Sequence, residues 1–306
     1  MATDPALENS MAREAMLDKR AVRRAFDKAA AGYDAAAVLQ HEVCTRMLER
    51  LEYVKHKPAA VLDAGTGTGN AVPALLARYP GATLVALDLS RAMLARTRAR
   101  VRWWQALPGL RPPLYAVCAD IERVPLSRES VGLVWSNLAL QWVNDLPRAL
   151  GEMQRVLAPA GLFMFSTFGP DTLRELRQAF AGVDDHTHVS RFVDMHDIGD
   201  MMVAAGFADP VMDMEQITLT YDNVRALMHD LKSIGASNAT LGRPAGLSGR
   251  AVLSVVERNY EALRRDGKLP ATFEIVYGHA WKPEARVGPG GHRIIDLKPD
   301  SRPRNR

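Results

Sequence analysis

The feature that most constrains the fold is a short apolar segment that runs directly into three glycines at alternate positions. Residues 60–64 are apolar apart from Asp63, and Gly65, Gly67 and Gly69 follow at once. Glycine adopts positive φ angles and lets a ligand approach the main chain closely. A buried strand that ends in such a turn and continues into a helix is typical of a doubly wound α/β sheet, which binds ligands at the carboxyl edge of its strands.

A second apolar segment identifies the chemistry of that ligand. Residues 83–88 read as a strand ending in Asp88, 19 residues after Gly69, where an acid can accept hydrogen bonds from ribose hydroxyls. The dinucleotide fingerprint is G-x-G-x-x-G, with a pyrophosphate on the helix N-terminus. Here the spacing is G-x-G-x-G, and Asp63 stands before it. Because an acid repels a pyrophosphate and attracts an ammonium or sulfonium group, the sequence predicts S-adenosylmethionine (SAM).

The rest of the apolar pattern predicts more strands of the same sheet. Ser90 is a predicted helix N-cap, and residues 159–161 are a predicted turn. Alternation of strands and helices favours a parallel sheet with right-handed crossovers. The predicted strands, after 60–64 and 83–88, are 114–118, 131–136, 162–167, 217–221 and 272–281. The polar residues that follow or close these strands, and that should therefore meet at one edge of the sheet, are Asp63, Asp88, Asp120 and Asn137.

The 306 residues, 47% of them hydrophobic, are enough for one large domain. Residues 1–18 are polar and predict a flexible N-terminus, whereas 19–282 predict a single α/β domain. Residues 283–306 are rich in Pro, Gly and Arg and predict a disordered basic tail. Segments 171–205 and 222–268 interrupt the strand pattern, and we interpret both as helical lid insertions.

Composition also bears on location and partners. Two cysteines give no disulfide framework, no apolar run reaches about 18 residues, and no secretory signal is visible, so we expect a cytoplasmic protein without a membrane anchor.

Net charge is +4, which permits an acidic partner. The basic run in 19–28 lacks interleaved aromatic residues and supports nucleic-acid binding poorly. His186, His188 and His196 lack cysteine partners, and we expect no metal. Oligomeric state is not determined by these patterns.

Five segments outside the glycine turn carry a resemblance to a known family. In chain order they are 26–34, 120–126, 135–142, 188–192 and 231–236, with the patterns F-x-x-A-A-x-x-Y, D-I-E-R-V-P-L, W-S-N-L-A-L-Q-W, H-V-S-R-F and L-K-S-I-G-A. Together they resemble the BioC family of class I SAM-dependent methyltransferases, the malonyl-[acyl-carrier protein] O-methyltransferases of biotin synthesis. The resemblance covers roughly residues 19–281. It departs at Thr66, where family members often carry Cys, and in the tail.

The resemblance implies a Rossmann-like seven-stranded sheet, mostly parallel with one antiparallel strand, plus helical lid insertions. It also implies methylation of the free carboxylate of a malonyl group on acyl-carrier protein, or on CoA, early in biotin synthesis. A carboxylate with a pKa of about 4 is already ionised, so the reaction needs no general base and we expect no catalytic triad. The implied cofactor-binding residues are Asp63, Ala64, Gly65 and Gly67 for the methionine part, Asp88 for the ribose, Asp120 and Ile121 for adenine, Asn137 and Leu138 beside the reactive end, and Leu89 as a further contact.

Two further residues are candidates for the reaction itself. Tyr33 could close over the cofactor or simply pack a helix against the sheet. Arg191 could grip a substrate carboxylate, since a guanidinium matches that geometry in a bidentate way, or it could be an ordinary surface arginine. The basic residues of 19–28 could meet an acidic carrier protein or form a solvated helix face.

A second resemblance keeps another reaction open. Segments 168–176 and 270–277 also resemble a mitochondrial complex I assembly factor, which has the same fold and is thought to hydroxylate an arginine. The alternatives to a carboxyl methyltransferase are therefore a protein-arginine hydroxylase and a non-catalytic SAM-binding regulator.

Overall fold

The computed structural model describes residues 16–101, 114–184, 186–243 and 250–284. Its described strands form one seven-stranded sheet in the order β3-β2-β1-β4-β5-β7-β6. Strand β7 runs antiparallel to both of its neighbours, and the other paired strands are parallel. The predicted fold class is therefore confirmed. The strands are β1 Ala60–Ala64, β2 Thr83–Asp88, β3 Leu114–Cys118, β4 Val131–Asn137, β5 Leu157–Phe168, β6 Ala208–Tyr221 and β7 Leu269–Trp281.

Helices cover both faces of this sheet. One face packs against α3, α4, α7, α9 and α10, and the other packs against α6 and α8. Ser90 accepts a hydrogen bond from the Met93 N–H and caps α5, as the sequence predicts. The helices are α1 Lys19–Ala29, α2 Tyr33–Ala36, α3 Val38–Glu52, α4 Val72–Arg78, α5 Arg91–Arg98, α6 Leu146–Val156, α7 Arg174–Phe180, α8 Met195–Ala204, α9 Val224–Ser233 and α10 Arg250–Glu261.

The predicted turn at 159–161 is wrong. These residues lie inside β5, where Ala160 has a φ of 58° and the pairing with β4 shifts register. A Cβ on Gly161 would stand 2.7 Å from the Ala158 carbonyl oxygen, so the irregularity needs a glycine. Proline and glycine mark a break in regular backbone, and here that break is a bulge within a strand rather than its end.

Strand β6 begins at Ala208, well before the predicted start at 217. It lies at the edge of the sheet and pairs on one side with β7 along most of its length. Residues such as Asp213 and Glu215 belong to it, and an edge strand tolerates them because one side faces solvent. The alternation of apolar and polar residues therefore predicted only the second half of β6.

The predicted flexible N-terminus ends earlier than residue 18. Leu17 is buried, forms a bridge with Thr240 and donates its N–H to Asn144 Oδ1, 2.7 Å away, and Asp18 caps α1. Residues 1–15 and 285–306, which include most of the predicted flexible end and tail, lie outside the described residues. Among the helices that are described, none combines the length and apolar character needed to cross a membrane.

The two predicted insertions are mostly helical where the structure describes them. Segment 171–205 contains α7 and α8, and segment 222–268 contains α9 and α10. The connection after α9 brings Ile234 and Ala236 to the wall of a cavity, and a Cβ on Gly235 would stand 3.0 Å from the Phe26 ring of α1. The lid function itself stays a prediction.

Candidate active site

A cavity of about 1100 Å³, the first cavity, opens where β1, β2 and β4 end. Parallel strands bring their carboxyl ends to one edge, so residues from distant parts of the chain meet there. Ala64 lies behind the wall, where its carbonyl accepts a hydrogen bond of 2.8 Å from the Ser136 hydroxyl. Of the predicted site residues, those that line the first cavity are Tyr33, Asp63, Gly65, Gly67, Asp88, Leu89, Asp120, Ile121, Asn137 and Leu138.

The three glycines of the turn serve different purposes. All three have positive φ, which favours glycine. A Cβ on Gly65 would stand 2.2 Å from the Ala139 Cβ, and one on Gly69 would stand 2.7 Å from Thr97. At Gly67 nothing lies within 4 Å of that position. Two glycines therefore permit close packing, whereas the third leaves open space beside the first cavity.

Asp88 is anchored by main-chain donors. The N–H of Gly67 donates to its Oδ2 at 2.9 Å and the N–H of Ser90 to its Oδ1 at 2.7 Å. Burial raises the Asp88 pKa to about 6, partly offset by these hydrogen bonds. Each carboxylate oxygen accepts more than one hydrogen bond. Asp88 is therefore held in one orientation with capacity left for hydroxyl donors such as those of a ribose.

Asp63 is a buried acid that lacks a positive partner. Its Oδ2 accepts a hydrogen bond of 2.6 Å from the Thr66 hydroxyl, and no ion pair in the described part of the chain includes it. The Asp63 pKa is raised to about 7, mainly by burial and in part by the nearby Asp88 charge, while the Thr66 hydrogen bond opposes the shift. A cationic ligand would favour the ionised form.

The predicted adenine end is fixed by an ion pair that the sequence analysis missed. Lys19 Nζ lies 3.1 Å from Asp120 Oδ1 and 3.0 Å from Glu122 Oε1. The Glu122 N–H also donates to Asp120 Oδ1, at 3.1 Å, and the neighbouring Ile121 is buried. The first residue of the basic run thus orients the site. Arg20 and Arg23 of the same run are exposed.

The N-terminal helices are tied down over the glycine turn. Asp34 accepts hydrogen bonds from the Thr68 hydroxyl, at 2.5 Å, and from Arg100 Nη2, at 2.7 Å. Tyr33 precedes it at the start of α2. Burial, with the Asp88 and Asp34 charges, raises the Tyr33 pKa above its usual value, so its hydroxyl stays protonated. The structure therefore places Tyr33 beside the acids of the first cavity.

Asn137 and Leu138 close the end of β4 in a fixed geometry. Asn137 Nδ2 donates to the Gln40 carbonyl at 3.1 Å, and its Oδ1 accepts from the Ser166 hydroxyl at 2.9 Å. Leu138 has a φ of 47°, and its N–H donates to the Ser166 carbonyl at 3.1 Å. These contacts join α3, β4 and β5 at one point of the wall.

Three buried polar atoms make no hydrogen bond with the described residues. They are Gln40 Oε1, His41 Nε2 and Trp135 Nε1, and all three residues line the first cavity. Buried polar groups are nearly always paired with protein, water or a ligand, so this wall suits a ligand with hydrogen-bonding groups. No local pattern marked Gln40 or His41, because their position depends on how α3 packs over β4.

Arg191 does not line the first cavity. It is exposed and lines a neighbouring second cavity of about 850 Å³. Gln141, Val143 and Phe168 line both cavities, so a common wall separates them. Phe192 packs against Phe168 with ring centroids 5.5 Å apart. The segment around Arg191 therefore borders the first cavity through this wall.

The histidines of the same region have partners of their own. His188 Nε2 lies 2.7 Å from Asp184 Oδ1, and its ring stacks on Phe180 at 3.8 Å. His196 pairs with Asp194, the residue that caps α8. Over the described ranges, no group of three or more His, Cys, Asp or Glu side chains is placed to hold a metal ion.

Taken together, the residues present fit SAM. Asp88 offers acceptors for hydroxyls, Asp63 is a buried acid without a cation, and unpartnered polar atoms line the wall. Residues 62–165 match a family model described as a methyltransferase domain. The fold is similar to that of the YcgJ protein of a Bacillus species, with a TM-score of 0.55 and 15% identity, covering 80% of this chain and 99% of that one. A methyltransferase from the Haloferax volcanii complex with the Trm112 activator also has a similar fold, with a TM-score of 0.53 and 20% identity. The match covers 87% of this chain and 100% of that one.

Fold and site thus define a class I SAM-dependent methyltransferase. The malonyl-[acyl-carrier protein] O-methyltransferase of Gallionella capsiferriformans is 59% identical, over 92% of this chain and 97% of its own length. The enzyme of the same name from a Methylovorus species is 57% identical, over 93% of this chain and 96% of its own length. The chain belongs to the malonyl-[acyl-carrier protein] O-methyltransferase family.

Proposed function

We propose that this chain methylates the free carboxylate of a malonyl group carried on acyl-carrier protein, an early step of biotin synthesis. The observation that carries the proposal is the first cavity, where fixed acids that suit SAM lie beside polar groups still without partners. The names and the high identity of the relatives support the acceptor. Malonyl-CoA presents the same carboxylate and thioester and is the alternative acceptor.

The proposed cofactor contacts follow the wall of the first cavity. Asp88 takes the ribose hydroxyls, and Asp63 lies near the ammonium of the methionine part. Gly67, where no atom lies within 4 Å of a Cβ, lets the methionine part approach the main chain. The remaining contacts are Leu89, Asp120 and Ile121 around adenine, the backbone of Ala64 and Gly65 behind the methionine part, and Asn137 and Leu138 beside the reactive end.

The chemistry makes few demands on the protein. When bound, SAM supplies a methyl group that passes to a carboxylate oxygen as the carbon–sulfur bond breaks and its electron pair stays on sulfur. The carboxylate is ionised at neutral pH, so no side chain must remove a proton. The residues of the cavity contribute by aligning the two reactants and excluding water. Tyr33, whose hydroxyl stays protonated, closes over the cofactor from α2.

Arg191 acts on the acceptor from the second cavity. An exposed guanidinium attracts an anionic thioester toward the common wall, which raises its local concentration. The connection that carries Ile234 and Ala236 closes the other side of the first cavity and acts as the lid. Cys44 and Cys118 are both free thiols, which supports a reducing cytoplasm as the location.

The test is direct transfer of labelled methyl from SAM. Malonyl-acyl-carrier protein and malonyl-CoA are compared with acetyl-acyl-carrier protein, which has no free carboxylate. We expect label in a base-labile ester on the malonyl thioesters alone, with S-adenosylhomocysteine (SAH) formed in equal amount. A protein that binds SAH tightly but methylates neither malonyl thioester would contradict the proposal and would favour the regulator. Hydroxylation of a protein arginine in its place would favour the hydroxylase.

A further inference from the structure

The strongest unexplained feature of the first cavity is the indole nitrogen of Trp135. Trp135 has a relative exposure of 0%, and its N–H has no acceptor among the described residues. Leaving such a donor unpaired in the protein interior is energetically costly. The buried Gln40 Oε1 on α3 is unpartnered in the same way. Rotation of the Gln40 side-chain amide would bring its NH2 group to this position, so this buried amide end can act as acceptor or donor.

The two groups line the first cavity near the end of β4. Trp135 and Asn137 are two residues apart on β4, so their side chains point to the same face of the sheet. Asn137 donates to the main-chain carbonyl of Gln40 at 3.1 Å, which brings α3 to the end of β4. His41 Nε2 faces the acid Asp34, 3.9 Å from its Oδ1, and belongs to the glycine-turn side of the cavity.

The charge balance of methyl transfer favours neutral donors at this position. A carboxylate loses its negative charge as it becomes an ester. A guanidinium bound to the attacking carboxylate would stabilise the ground state more than the transition state and would slow the reaction. An indole N–H or a side-chain amide is neutral. It can orient the same oxygen through an interaction that depends less on the negative charge of the carboxylate. Arg191, the nearby cation with a carboxylate-matching geometry, lies in the second cavity.

We propose that the indole N–H of Trp135 and the side-chain amide of Gln40 bind the substrate carboxylate and orient it for attack. Arg191 then attracts the acceptor, whereas this neutral pair holds the reacting group. The proposal rests on the proposed function, since it assigns the acceptor subsite of the same reaction. It distinguishes the carboxylate-binding residues from those that hold the cofactor.

The first test is Trp135→Phe, which removes the N–H and keeps an aromatic ring. We expect kcat/KM for malonyl-acyl-carrier protein to fall about 10- to 50-fold, as for a hydrogen bond to a charged group, while the Kd for SAH stays within twofold. The matched control is Trp281→Phe on β7, whose ring packs on His56 at 5.5 Å. An unchanged kcat/KM in Trp135→Phe, or an equal loss of SAH affinity, would overturn the proposal.

The second test compares two replacements of Gln40. Gln40→Leu removes the hydrogen bond, and Gln40→Glu adds a like charge beside the carboxylate. We expect a roughly tenfold loss of kcat/KM in the first and a larger loss in the second, with SAH binding retained in both. Equal activity of Gln40→Glu and wild type would contradict the assignment.

A binding readout separates this proposal from the proposed function. Titration calorimetry measures malonyl-CoA binding to SAH-saturated protein without turnover. Loss of that binding in Trp135→Phe, with wild-type binding intact, supports the subsite. If wild type methylates malonyl thioesters and Trp135→Phe binds and methylates them equally well, the subsite fails while the function stands. If wild type methylates none, the function fails, whatever Trp135→Phe does.

Discussion

The two adjoining cavities are built in different ways. In the first, main-chain donors of Gly67 and Ser90 hold Asp88, and the Thr66 hydroxyl holds Asp63, so these two acids have fixed orientations. In the second, Arg191 is exposed, on the connection between α7 and α8, and forms no ion pair with the residues that the structure describes. The first cavity thus holds its acids in fixed orientations, whereas the cation of the second is exposed to solvent.

This difference matches the two halves of the proposed reaction. SAM and SAH present the same adenosine and amino-acid groups, and fixed side chains bind these groups without an ordering cost. The acceptor arrives on a carrier, and an exposed arginine on a surface connection is placed to meet it.

Asp88→Ala should cause the largest loss. It removes a carboxylate that the proposal assigns to two ribose hydroxyls, worth about 3 kcal/mol or more, so the Kd for SAH should rise at least 100-fold. Calorimetric titration of SAH measures this. Asp88→Asn keeps the shape of the side chain and one of its two oxygens, and its Kd for SAH should rise roughly tenfold. An Asp88→Ala protein that is folded and binds SAH within threefold of wild type would break the assignment of the first cavity.

Gly65→Ala and Gly67→Ala form a matched pair. At Gly65 the added Cβ meets the Ala139 Cβ at 2.2 Å, in a residue with a φ of 81°. We expect a loss of about 3 kcal/mol in the free energy of unfolding, measured by urea denaturation. At Gly67, where φ is 57° and the space is open, the loss should be about 1 kcal/mol. In Gly67→Ala the free energy of SAH binding should weaken by more than the free energy of unfolding falls. Equal losses in the free energy of unfolding in Gly65→Ala and Gly67→Ala would argue against a difference between the two positions.

Arg191→Ala should affect the acceptor alone. We expect the KM for malonyl-acyl-carrier protein to rise about tenfold, because the attraction of the guanidinium for the anionic acceptor is lost, with little change in SAH affinity or stability. Arg191→Lys should recover part of the loss at low salt, since the positive charge remains. Lys232→Ala, an exposed cation on α9, is the control. If Arg191→Ala weakens SAH binding as much as it raises KM, the two cavities do not divide the ligands as proposed.

The smallest effect should be the pH dependence of the first cavity. Burial raises the Asp63 pKa to about 7 and the Asp88 pKa to about 6. Native carboxyls with raised pKa bind protons more tightly than unfolded ones. This contribution to stability is therefore present at low pH and is lost as pH rises from about 4 through 6–7.

Cofactor binding should follow the opposite trend, because ionised Asp63 attracts the ammonium group. We expect SAH affinity to rise about fivefold between pH 6 and pH 8. Asp63→Asn should flatten that profile, and Asp120→Asn, which changes an acid at the adenine end of the first cavity, should preserve its slope. A profile that stays steep in Asp63→Asn would assign the titration to another group, such as Asp88.

Local patterns predicted much of the cofactor side. The bounds of β1, β2 and β3 agree with the predicted strands, because continuous apolar runs between turn residues mark buried parallel strands. The bulge in β5 and the long edge strand β6 were not predicted, since both depend on the pairing partner and not on the segment itself. The ion pair of Lys19 with Asp120 joins residues 101 positions apart, and no local pattern contains it.

The sequence by itself determined the sheet, the glycine turn and the acids at the strand ends. A parallel sheet must bring the carboxyl ends of neighbouring strands together, so residues such as Asp63, Asp88 and Asn137 meet whenever the strands form. Only the tertiary structure decided which polar atoms lack partners and which cavity each residue enters. Those properties depend on how α3 packs over β4 and how the insertions pack on the sheet, which places Gln40 beside the end of β4 and Arg191 behind a shared wall.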